Sequence, residues 1–145
     1  MRREGFTLVE LIVVLAILAG LAAMVAPSFS RTVASARVRT AASDVRSTFA
    51  RARALAVASA RERSAVFDLS RGGFGVDNEA VRLLPETIRL GVVLPGGDRQ
   101  DRGSVRVRFF PDGGGEAAKI SVTAQDGGAL RVTVDPLTGL AEAGI

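Results

Sequence analysis

Nearly every position from Phe6 to Ala26 is apolar, and the one charge inside that run is Glu10. At about 1.5 Å of rise per residue the run spans roughly 31 Å, the thickness of a bilayer's hydrocarbon core, so the pattern predicts a single membrane-spanning helix. Arg2 and Arg3 in the short stub before it suit a cytoplasmic start, but Arg31, Arg37 and Arg39 follow the run closely, so charge alone leaves the orientation open. A secretory signal peptide or a plain anchor would be the ordinary reading. Small-x-small sites exist at Gly20-Leu21-Ala22 and Ala34-Ser35-Ala36, yet the run exceeds the roughly 7–15 residues of a signal core. A carboxylate at bilayer depth also costs roughly 2.5–3.5 kcal/mol on insertion scales, which asks for a partner or a special position. Near the helix start, the helix dipole and interfacial water could supply part of that relief.

Pro27 follows, and it removes one helical hydrogen bond, so a kink is expected if the helix continues. From Ser28 to about Ala60 the pattern is again helical. Val38, Ala41, Ala42, Val45, Phe49, Ala52 and Ala56 recur at steps of three and four and fall in one sector, with Arg39, Arg46, Arg51, Arg53 and Arg61 on the other side. Beyond Arg63 the period drops toward two. Strands are expected around 65–69, 73–76, 81–84, 88–93, 105–110, 119–123 and 129–134, separated by Gly72-Gly73, Pro95-Gly96-Gly97, Asp112 to Gly115 and Asp126-Gly127-Gly128. The fold class is therefore α+β: a long N-terminal helix packed on an antiparallel β-rich head.

Length changes this picture little, since 145 residues allow one membrane helix and one small domain. Chemistry is narrowed more. The chain has no Cys, His, Trp or Tyr, which removes disulfides, thiolate metal sites and the commonest general base. Residues 1–63 carry 10 basic and 4 acidic groups, whereas 64–145 carry 9 and 11, so the basic character belongs to the helix. Its arginines lack interleaved aromatics for base stacking, and a solvated or subunit-facing surface explains them better than nucleic acid does. Gly113 to Gly115 are not followed by the Gly-Lys-Ser/Thr of a phosphate loop, and Asp112, Glu116, Asp126 and Asp135 lack calcium-loop spacing, so turn and cap duties are expected for them. Lys119 is the only lysine, and no motif around it supports a Ser–Lys hydrolase. Neither metal nor cofactor is expected, and the chain is read as non-enzymatic.

The string Gly5-Phe6-Thr7-Leu8-Val9-Glu10 ahead of an apolar stretch resembles the type III signal of type IV pilins and pseudopilins. That resemblance implies a leader at 1–5, cleaved between Gly5 and Phe6 by a prepilin peptidase, with N-methylation of Phe6. It also implies that Glu10 pairs with the Phe6 amine of a neighbouring subunit during assembly. Two isolated charges in lipid are each costly, and joining them relieves both.

Two stretches of the head narrow the family. Arg108-Phe109-Phe110-Pro111-Asp112-Gly113 and Val134-Asp135-Pro136-Leu137-Thr138-Gly139 resemble the paired signatures of the H-type minor pseudopilin of type II secretion, and Val66-Phe67-Asp68-Leu69 fits the same pattern. The chain departs from it at Gly114 to Ala118 and at Leu140-Ala141. Phe109 and Phe110 alternate on a strand, so one belongs in the core and the other could be an exposed contact; Phe109, Phe110 and Asp112 are the candidate partner residues. The resemblance implies a transmembrane helix at 6–26, an amphipathic continuation at 27–62 and a periplasmic head at 63–145. It further implies a structural subunit of the inner-membrane pseudopilus that helps export folded proteins through the outer-membrane secretin. Expected partners are other major and minor pseudopilins, the prepilin peptidase, the inner-membrane secretion platform and the membrane itself. The alternative is a minor pilin of a type IV pilus linked to DNA uptake; the acidic-leaning head and the uncharged end Ala143-Gly144-Ile145 speak against nucleic acid as a partner.

Overall fold

A computed structural model describes residues 7–77 and 79–144, with the side chains of 23–31 left aside. Helix α1 (Leu8–Ser59) runs unbroken past Pro27. Thr7 is its N-cap: with extended backbone (φ −76, ψ 149) it leaves its hydroxyl free to accept the Glu10 N–H at 3.3 Å. The stop comes without glycine. Ala60 takes the left-handed conformation (φ 50), its N–H bonds Val57 O at 3.3 Å and the Arg61 N–H bonds Ala56 O at 3.2 Å, which closes the last turn as a Schellman motif.

Three residues later the head begins. Its strands are β1 (Arg63–Asp68), β2 (Gly73–Val76), β3 (Arg82–Leu83), β4 (Ile88–Val93), β5 (Ser104–Phe109), β6 (Ala118–Ala124), β7 (Ala129–Val134) and β8 (Ala141–Gly144). They form two antiparallel four-stranded sheets, ordered β3-β2-β1-β5 and β4-β6-β7-β8. Seven strands fall where period-two patterning expects them, and three match to the residue. β8 is additional. β3 is shorter than expected because only Arg82 and Leu83 pair with β2.

Both sheets close on the second half of α1. All seven predicted stripe residues, from Val38 to Ala56, are buried, and Ala34 extends the stripe toward the helix N-terminus. Phe49 anchors the first sheet, with ring centroids 5.3 Å from Phe67 and 5.9 Å from Phe109 in tilted contacts. Ile120, Val122, Val132 and Val134 of the second sheet complete the same core. The alanines at 41, 42, 52 and 56 let the sheets approach the helix closely, since each presents only a methyl group.

The first half of α1 has no such cover. Residues 7–22 are exposed all round, including Leu8 at 75% and Val9 at 68%. The expected span, 6–26, reaches beyond the described side chains at both ends; among the described residues no helix is long and apolar enough to cross a membrane.

Candidate functional site

Two regions concern function: the start of the stem and a pair of loops on the head. Gly5 and Phe6, where cleavage and methylation are expected, lie outside the described residues. Glu10 stands in the first turn of α1, exposed, its backbone N–H taken by Thr7 and its carboxylate beside the positive end of the helix dipole. Its neighbours Leu8, Val9, Leu11, Ile12 and Val13 are apolar and exposed. A helix apolar on nearly every side is normally buried, either in the core of a larger protein assembly or in a membrane.

On the head, the β5–β6 and β7–β8 loops carry the two motif stretches, and the structure interlocks them. Arg53 of α1 reaches between them. Its Nε donates to the carbonyl of Gly113 at 2.9 Å and to that of Thr138 at 2.8 Å, joining three segments of chain with one nitrogen. The Gly115 N–H adds a bond to Pro136 O at 3.1 Å. Close approach requires glycine here: a Cβ on Gly139 (φ +63) would overlap the Gly113 carbonyl oxygen, and one on Gly115 would lie 2.9 Å from the Phe109 ring.

Aspartates shape each loop from within. Asp112 Oδ1 accepts the Gly114 N–H at 2.9 Å, and Asp135 Oδ1 accepts the N–H groups of Leu137 at 2.8 Å and Thr138 at 3.1 Å. The two backbone donors hold the Asp135 carboxyl below its ordinary value. Glu116 is lowered too, first by its hydrogen bond from the Arg108 guanidinium at 2.6 Å, with the Arg108 N–H adding to it. The acidic residues singled out in these loops thus do turn, edge-capping and ion-pair work.

Of the candidate contact residues, Phe109 is fully buried against Phe49, which withdraws it from any partner of the folded head. Phe110 is half-buried at the strand end, and Asp112 is exposed. Arg53 corrects the sequence reading, which put it with the solvated arginines. It sits at the flank of the buried stripe, half-buried, whereas Arg39, Arg46 and Arg61 are exposed. Arg51 lies on the opposite flank and pairs with Glu79 at 3.0 Å.

Comparison with known proteins agrees with this arrangement. Residues 41–138 match the family model of the type II transport protein GspH, and residues 1–26 match that of the prokaryotic N-terminal methylation motif. Among solved structures, the minor pseudopilin EpsH from the type 2 secretion system of Vibrio cholerae is similar: TM-score 0.59 and 12% identity, over 74% of this chain and 94% of that one. No curated protein sequence is significantly similar. The match over more than half of the chain includes both interlocked loops through Thr138 and the packed part of the helix from Ala41 onward: this chain belongs to the GspH family of type II transport proteins, minor pseudopilins of the type II secretion system.

Proposed function

We propose that the chain is made as a prepilin, cut between Gly5 and Phe6 by a prepilin peptidase, methylated on Phe6, and held in the inner membrane by residues 6–26 with its head in the periplasm. From there it joins other major and minor pseudopilins on the inner-membrane secretion platform, as a non-enzymatic subunit of the filament that helps folded proteins through the secretin. The observation that carries this reading is Glu10: a lone carboxylate in the first turn of a helix whose flanks are apolar and exposed. Pairing it with the Phe6 amine of a neighbour neutralises both charges in a medium that penalises each alone. On the head, Phe110 and Asp112 are the contact residues that remain available.

The test is Glu10→Ala in the native membrane. Leader removal and methylation, read by N-terminal sequencing and intact mass, should persist with Phe6 as the first residue. Recovery in the sheared filament fraction should collapse, and recovery equal to the parent would defeat the pairing model.

A further inference from the structure

Beside the interlocked loops lies a groove of about 410 Å³, walled on one side by α1 and on the other by the segment Gly139 to Ala141. Ala50, Leu140 and Ala141 supply its apolar lining, with Leu140 55% exposed, and Ser43 and Ser47 complete the helix wall. Two guanidinium groups line it, Arg46 and Arg53, and no carboxylate does. Among the described residues the Arg46 side chain makes no hydrogen bond or ion pair. Arg53 spends only Nε on the two loop carbonyls, so its two amino groups have no acceptor among the described residues, while its position is fixed. A guanidinium held on one edge and open on the other is preorganised for a carboxylate.

We propose that this groove receives a protein segment that presents a carboxylate beside an aliphatic side chain, supplied by a neighbouring subunit of the filament. The identity of that source rests on the function proposed above. Charge complementarity favours an acidic occupant, and the apolar lining at Ala50, Leu140 and Ala141 favours an aliphatic neighbour to it. Lipid headgroups are out of reach: with the span ending at Ala26, Arg46 stands about 30 Å further along the helix, several Debye lengths from the membrane surface. The site is separate from the Glu10 contact, which forms within the membrane end of the stem.

The full-length protein in lipid nanodiscs, labelled with ¹⁵N, should be titrated with the peptide acetyl-Leu-Glu-Leu-amide. Saturable amide shifts are expected in 43–53 and 139–141, weakened about fivefold by Arg46→Gln or by a glutamine in place of the peptide's glutamate. Arg46 is exposed and unbonded, so its replacement leaves the fold intact. Shifts of equal size with the glutamine peptide or with sodium acetate, or insensitive to Arg46→Gln, would overturn the proposal. In cells, Arg46→Glu should reduce recovery in the filament fraction with Phe6 still methylated; unchanged recovery rules out a subunit as the source. Peptide binding that survives alongside normal assembly of Glu10→Ala would bring down the assembly reading and leave the groove standing.

Discussion

Arg53 joins carbonyls 60 and 85 residues away in sequence, and this is why its role is not legible in the chain. An arginine off the apolar stripe reads as solvated, because neither acceptor is a side chain that could flag the contact. Asp112 and Asp135, by contrast, are legible: an aspartate ahead of glycine or proline in a break has its own backbone as its nearest donor. Glycine tells part of the story. Gly139 marks a turn in sequence, but only the structure shows that its missing Cβ leaves room for another loop's carbonyl. Gly139→Ala should therefore meet both a steric overlap and a left-handed backbone. A loss of about 2 kcal/mol or more is expected in urea unfolding of the full-length protein, and it should exceed that of Gly127→Ala, which shares a positive φ (+95) but whose Cβ would meet nothing within 4 Å.

Helix α1 and most strands were legible because their burial periods are clean: three- and four-residue steps over 38–56, then strict alternation as in Ser104–Phe109. β8 was not, since Ala141-Glu142-Ala143-Gly144 contains no β-branched or aromatic residue. Its strand conformation comes from pairing with β7, where Val134 meets Ala141 and Arg131 meets Gly144. The helix stop offers a prediction of opposite sign to that for Gly139. Ala60 pays for its left-handed backbone with a Cβ contact that glycine lacks. Ala60→Gly should raise stability by about 1 kcal/mol, seen as a higher urea midpoint with unchanged slope; a lower midpoint would mean that the Schellman closure does not limit the helix end.

For the molecule as a whole, acid should loosen the head where its loops meet. Asp135 and Glu116 both have folded-state pKa values below their ordinary 3.8 and 4.5. A depressed carboxyl adds stability that is complete above its ordinary value and is lost as pH falls through the lowered one. The urea midpoint should thus hold from pH 7 to about 5 and fall below about 4, and Asp135→Asn with Glu116→Gln should shrink that fall. The first half of α1 is readable only as chemistry: apart from Glu10 its described residues are apolar and exposed on nearly every side, so no face of it marks what packs there. The packed end differs. Only three residues separate α1 from β1, Arg51 and Arg53 tether opposite flanks of the helix to the head, and the core grips one continuous stripe from Ala34 to Ala56. A subunit fastened in this way has no swivel between stem and head, so any tilt or twist imposed on the packed half of the helix is carried rigidly into both sheets.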